Sequence, residues 1–331
     1  MNRSKASILG RRTFMGIAAV AFTSLSLTAC SPSVPGASAG SDSGMEKITI
    51  GLLPITDVAP IYLGIQQGFF KEENLDPTIQ LAQGGAAIIP AVVSGEYQFG
   101  YSNVVSLMVA HGKGIPIQVT SNGSTSTNLA GKDTTEVAAL PASGISTMAD
   151  LKGKTVALNA LNNFGDITMR ASLEKAGVDP STVKFVEIPY PNMPAQLAAG
   201  EIDAAWTTEP FRTQILSEGG EIVGSPMTDM AENFDAAYYF TSKKTATENP
   251  ELVKRYNAAV EKSFDYATKN PDAVRTIIQD YAGLSPDIAA KVELSQWPMA
   301  PNEVGLQKLA DAAQKYGVLS QAPDFDGFFG R

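Results

Sequence analysis

One histidine, His111, and one cysteine, Cys30, are the whole supply of imidazole and thiol in this chain of 331 residues. A histidine zinc site or a Ser-His-Asp triad would therefore depend on a single side chain. His111 stands beside Gly112 at an expected helix end, where a partly cationic ring complements the helix dipole, and a structural role is assigned to it. With no second cysteine, neither a disulfide framework nor a cysteine metal site can form. Gly153-Lys154-Thr155 has the ending of a phosphate-binding loop, yet Met148 occupies the position of that motif's first glycine. The triplet also precedes an expected strand instead of following one, so it reads as a turn. No GxGxxG run occurs. Asp57 and Glu209 could serve as an acid and a base across a cleft. The preferred reading is that Asp57 caps a helix start and that Glu209 holds a hinge or a donor on a ligand. No catalytic residue, metal or cofactor is assigned, and the chain is read as a non-enzyme.

The elements that must position these residues begin after residue 30. Arg3, Lys5, Arg11 and Arg12 precede an apolar run from Phe14 to Leu27, the order found in an export signal. The run is shorter than the roughly 20 apolar residues of a membrane-crossing helix and is interrupted by Thr23, Ser24 and Ser26. Arg11-Arg12-Thr13-Phe14 resembles a twin-arginine signal, and Leu27-Thr28-Ala29-Cys30 resembles a lipobox, in which Cys30 would receive lipid and become the first residue. Residues 1–30 are thus expected to be a lipoprotein signal. Residues 31–45, mostly Ser, Gly, Pro and Ala, are expected to be a flexible tether to the outer face of the cell membrane.

The remainder suits two lobes of ordinary size. Removing the signal lowers Lys+Arg from 25 to 21 against 34 Asp+Glu, a formal charge of −13 that argues against nucleic-acid binding. That acidity is read as solubility. Strand, loop and helix alternate: Lys47 to Leu53, Thr78 to Ala82, Tyr97 to Gly100 and Ile115 to Thr120 read as strands, with helices at Ile61 to Gly68, Ala86 to Ser94 and Val104 to His111. A second series places strands at Thr155 to Asn159, Lys184 to Ile188 and Ala204 to Trp206, with helices at Asp166 to Ala176 and Pro194 to Ala199. Such alternation implies an α/β fold of doubly wound, mostly parallel sheets. Gly123 to Gly144 reads as a crossing between lobes. Asn249, Asn270 and Ser285, each before a proline, read as the caps of three C-terminal helices. Ligands of such sheets lie beyond the carboxyl ends of the strands.

Several runs, short singly but specific in order and spacing, resemble the solute-binding receptors of ATP-driven importers for nitrate, sulfonates and taurine and their thiamine-pyrimidine relatives. They are Pro60 to Gly64 with Gly68 to Leu75, Gly95 to Gly100, Asp150 to Ala157, Leu173 to Val178, and Ala198 to Trp206 closing on Glu209-Pro210-Phe211. The resemblance implies a two-lobed periplasmic-binding-protein-like fold of the second class. Lobe 1 would comprise 46–125 and 231–331, the latter with the C-terminal helices, and lobe 2 would comprise 126–230. It also implies a monomer that serves an ABC permease in the membrane and binds a small solute between its lobes. Carried over by position, the ligand-binding residues would be Thr56, Asp57, Gly84, Gly85, Ser102, Asn103, Asn162, Asn163, Phe164, Tyr190, Asn192, Trp206 and Glu209.

Asn162-Asn163 departs from the Gly-Ser that many sulfonate and nitrate receptors show before the second-lobe helix. The lone histidine argues against the pyrimidine-synthesising relatives, whose chemistry uses His and Cys. None of the implied binding loops contains Lys or Arg. A sulfonate, nitrate, taurine-type or other organic anion would then be held by helix N-termini and amide or hydroxyl donors. A thiamine pyrimidine precursor or an aromatic acid stacked on Trp206, Tyr190 or Phe164 fits equally well. A metal-free lyase acting on such a compound is the alternative from another class.

Overall fold

Ten strands form two five-stranded sheets in the computed structural model, which describes residues 44–331. The export signal, Cys30 and residues 31–43 of the tether lie outside the described residues. The strands are β1 Glu46–Leu52, β2 Leu75–Leu81, β3 Phe99–Asn103, β4 Ile117–Thr125, β5 Thr135–Ala139, β6 Thr155–Leu158, β7 Lys184–Glu187, β8 Ala204–Thr208, β9 Glu221–Gly224 and β10 Asp235–Ser242. The first sheet has the order β2-β1-β3-β10-β4 and the second β7-β6-β8-β5-β9. In each, one strand runs against the other four: β10 is antiparallel to β3 and β4, and β5 to β8 and β9. The chain therefore passes between the sheets twice, after β4 and after β9.

Apolar and β-branched residues bury the central strands of these sheets, as helix-covered sheets require. Ile48, Ile50 and Leu52 of β1 and Val156 to Leu158 of β6 are at most 2% exposed. The helix Pro250–Lys269 ties the chain's C-terminal third to the first sheet. It buries Leu252, Tyr256, Ala259, Val260, Phe264 and Ala267, a spacing close to 3.6 residues. Tyr256 stacks on Phe99 of β3 with ring centroids 3.6 Å apart.

Several boundaries differ from the sequence expectation. Tyr101, Ser102 and Asn103 belong to β3 and not to the loop after it. The segment Gly123 to Gly144 contains the end of β4 and all of β5, so the first crossing shortens to residues 126–134. Pairing with β10 and β8 overrides the turn-like Ser, Thr and Asn content there, because the ladders satisfy backbone groups that those side chains would otherwise bond. The second-lobe helix runs Phe164–Lys175, so Phe164 and Gly165 are its first residues instead of loop. Asn249 and Ser285 cap the helices that follow them, but the Asn270 amide donates backwards to the Tyr266 carbonyl at 2.8 Å. His111 is edge-on to Phe328 at 5.7 Å. Burial first, and Lys243 second, lower its pKa, so the neutral ring is favoured over the cationic one expected from the helix dipole.

At the crossings Asn128 and Asn233, both with left-handed φ (64° and 50°), bond each other. The Asn128 amide donates to Asn233 Oδ1 at 2.8 Å, and the Asn233 N–H donates to Asn128 Oδ1. Asparagine tolerates that backbone region better than most residues.

Candidate functional site

The carboxyl ends of both sheets open onto one cleft. It encloses about 410 Å³ of unfilled space, its mouth included. The first sheet contributes Leu53, Ile55 and Asp57 after β1, Tyr101 and Asn103 from β3, and Gly85 from the helix after β2. The second contributes Asn159 after β6, Phe164, Tyr190 after β7, and Trp206 and Thr208 from β8. The antiparallel strands start where their neighbours end. Thr135 pairs with Thr208 and Ala237 with Asn103, so Thr135, Ala236 and Ala237 complete the wall.

Of the residues expected at the site, Asp57, Gly85, Asn103, Phe164, Tyr190 and Trp206 are brought together in this wall. The other seven stand elsewhere. Thr56 is buried, and its N–H reaches the Glu209 carbonyl at 3.3 Å. Gly84 precedes the helix Gly85–Ser94, and exposed Asn192 precedes the helix Met193–Ala198. Ser102 faces Gly85: a Cβ built on that glycine would come within 2.6 Å of the Ser102 Cα, so only glycine fits. Exposed Asn162 holds the left-handed region (φ 50°) and donates its N–H to Asp166 at 2.9 Å. Asn163 turns away from the cleft toward Ser106 of the facing lobe. Its amide nitrogen donates to Ser106 Oγ at 2.9 Å, its Oδ1 accepts from that hydroxyl at 3.2 Å, and the same Oδ1 takes the Phe164 N–H at 2.7 Å. The two asparagines thus serve the helix start and a contact across the cleft mouth, which accounts for the departure from Gly-Ser.

Glu209 lies behind the wall. Its carboxylate accepts from Arg212 at 3.2 Å, from the Thr213 N–H and Oγ1 at 3.1 and 2.8 Å, and from the Glu293 N–H at 3.1 Å. Burial outweighs these partners and pushes its pKa up to about 7. Glu136, held by Ser225 and by the Asp133 N–H, is likewise pushed to about 7 by burial. With its acceptors filled by the protein, Glu209 cannot act with Asp57 as a facing pair on one ligand.

Asp57 does not cap a helix. Its Oδ2 accepts from Tyr101 at 3.1 Å and Ser124 at 2.9 Å, and its Oδ1 accepts from Ser295 at 2.9 Å. Burial raises its pKa more than these hydroxyls lower it. Opposite, Phe164 meets Trp206 edge-on at 5.9 Å, and Tyr190 stacks between Trp206 (6.0 Å) and Phe211 (6.4 Å). Aromatic pairs of this kind add about 0.5–1.5 kcal/mol each beyond burial and hold the rings in place. Gly165 admits the indole: a Cβ there would meet Trp206 Cε3 at 2.9 Å. The Trp206 indole N–H is buried without an acceptor.

Residues 55–274 match the sequence model described as NMT1/THI5 like. The chain belongs to this family. A relative from Brucella abortus (strain 2308), named as a binding protein, is 26% identical over 215 residues, 62% of each chain. The 4-amino-5-hydroxymethyl-2-methylpyrimidine phosphate synthase of Candida albicans (strain WO-1) is 28% identical over 225 residues, 64% of each. The chain thus spans less than two thirds of either relative. Among solved structures, the alkanesulfonate-binding protein SsuA of Xanthomonas axonopodis pv. citri, bound to MOPS, superposes with a TM-score of 0.70 at 16% identity, covering 84% of this chain and 95% of its own. The nitrate-binding protein NrtA of Synechocystis PCC 6803 gives 0.73 at 13% identity, covering 86% and 85%. The fold is that of the periplasmic binding proteins, as the family resemblance implied.

Sequence reasoning missed Leu53, Ile55, Thr135, Asn159, Ala236 and Ala237; Tyr101 and Thr208 fall in segments it marked but were not singled out. Asn159 and Tyr101 lie at the carboxyl ends of parallel strands, and that rule alone could have found them. Thr135, Ala236 and Ala237 reach the cleft through antiparallel pairing across more than 70 residues of chain, for which no local signal exists.

Proposed function

We propose that this protein is an extracytoplasmic solute receptor of an ABC importer. In this reading residues 1–30 are removed, Cys30 carries lipid, and residues 31–45 tether lobe 1 (46–125 with 231–331) and lobe 2 (126–230) to the membrane. The observation that carries the proposal is a cleft walled from both sheets by aromatic, amide and hydroxyl side chains, with no second carboxylate and no histidine in its lining. A solute that touches both walls favours the closed form by its differential contacts, and closure is what a permease can read. Recovery of the solute unchanged is expected, since Glu209 is committed to Arg212, Thr213 and Glu293 and offers no acid–base partner to Asp57.

The test is thermal unfolding of the full-length chain against nitrate, taurine, alkanesulfonates, aromatic carboxylates and aminopyrimidines, with mass spectrometry of any bound compound. A ligand at 100 times its dissociation constant adds about 2.7 kcal/mol and raises Tm by several degrees. Conversion of the bound compound would replace the receptor reading with the lyase. Retention of lipid-labelled protein in the membrane fraction, lost in Cys30→Ser, is expected for the anchor; a labelled Cys30→Ser protein would dismiss it.

A further inference from the structure

Among the described residues, Asp57 is the only carboxyl in the cleft wall, and no lysine, arginine or histidine lines it. A carboxylate offers about four lone-pair positions, and Tyr101, Ser124 and Ser295 occupy three of them. The vacant position is on Oδ1. The three hydroxyls are neutral, and the charged group whose field acts on Asp57, Asp133, is another carboxylate and raises its pKa further. Nothing in the wall offsets a charge on Asp57, and burial holds the carboxyl toward its neutral form until a solute supplies that offset. Trp206, on the other sheet, presents the reverse requirement. Its indole N–H can only donate, the residue is 2% exposed, and no atom among the described residues accepts from it. The rings of Tyr101, Phe164, Tyr190 and Trp206 line the space between.

Resting on the receptor reading, we infer that the solute is a small neutral or cationic compound that donates an N–H to Asp57 and accepts from the Trp206 indole. A nitrate or sulfonate would bring like charge against a buried carboxylate with no cation in the lining to hold it. Aromatic faces around a carboxylate also favour an amino or amidinium group through cation–π attraction. Asp57 is thus the specificity-determining residue. The likeness to SsuA and NrtA lies in the fold, and their named ligands do not carry over to this wall.

The experiment titrates the full-length chain with 2-aminopyridine and benzamidinium on one side, and with benzoate, methanesulfonate and nitrate on the other. Tryptophan fluorescence and calorimetry read the binding. The amino probes are expected to bind and the anions not. Asp57→Asn is expected to weaken the amino probes by roughly tenfold to a hundredfold, the worth of a hydrogen bond to a charged group. Near-ultraviolet circular dichroism establishes that the variant is folded. Trp206→Phe supplies an independent arm: it should weaken 2-aminopyridine more than benzamidinium, which has no acceptor to offer. Preferential binding of benzoate, methanesulfonate or nitrate would overturn the inference and leave the receptor reading standing. Silence from all five probes would overturn it as well, and the receptor reading would then rest on its own panel.

Discussion

Removing the Ser106 hydroxyl should open the cleft. Ser106 lies on the helix Val104–Gly112 above the first sheet, and Asn163 begins the helix Phe164–Lys175 of the second, so their two hydrogen bonds at 2.9 and 3.2 Å span the mouth. A net contribution of about 0.5–1.5 kcal/mol applies to each bond. The second is the weaker, because Asn163 Oδ1 also serves the Phe164 N–H at 2.7 Å. Ser106→Ala therefore costs the closed form about 1–2 kcal/mol, a change of roughly 5- to 30-fold in the closed-to-open ratio. The cap of the first helix survives, because Asn103 Oδ1 bonds the Ser106 backbone N–H at 2.9 Å and not its side chain. Spin labels at exposed Leu81, the last residue of β2, and exposed Leu161, beyond β6, report the inter-lobe distance in the ligand-free protein. The distance distribution should broaden toward longer values in Ser106→Ala, with a matching rise in the radius of gyration from small-angle scattering. Identical distributions in the two proteins would mean that the pair merely accompanies closure, and the reasoning would be wrong.

Two further outcomes follow from the cleft and the crossings. Gly165→Ala places a methyl 2.9 Å from Trp206, and its overpacking should cost about 1–3 kcal/mol and shift the tryptophan emission; an unchanged melt and spectrum would show that the indole can move freely. Between about pH 5.5 and 7.5 the protein should lose stability as pH rises. Burial lifts Glu136 and Glu209 to about 7 from an ordinary value of 4.5, so the stabilisation they confer is complete below about 4.5 and is lost as pH rises through 7. The carboxylates held low by hydrogen bonds, Asp150, Glu174 and Asp179, have finished titrating well below this window. Glu136→Gln should flatten the fall in Tm, and a profile that rises with pH in the unmodified protein would refute the assignment.

The alternation of short apolar runs with helical periods determined the fold class, because a strand covered on both faces and a helix with one apolar stripe leave different periods in the residues themselves. The family resemblance brought Asp57, Gly85, Asn103, Phe164, Tyr190 and Trp206 to notice, and each lies within a few residues of a strand's carboxyl end. What local pattern could not carry was the direction in which a polar side chain turns. Asn163 and Asn103 look alike in the sequence, yet one reaches across to Ser106 while the other lines the cleft. Asp57 and Glu209 look like a pair, yet the Glu209 carboxylate is filled by Arg212, Thr213 and Glu293, whose backbone arrives from 84 residues away. Thr135 and Ala237 enter the wall only because β5 and β10 run against their neighbours. Strand pairing and hydrogen-bond partners of that kind are set by which distant segments pack together, and that choice belongs to the tertiary structure.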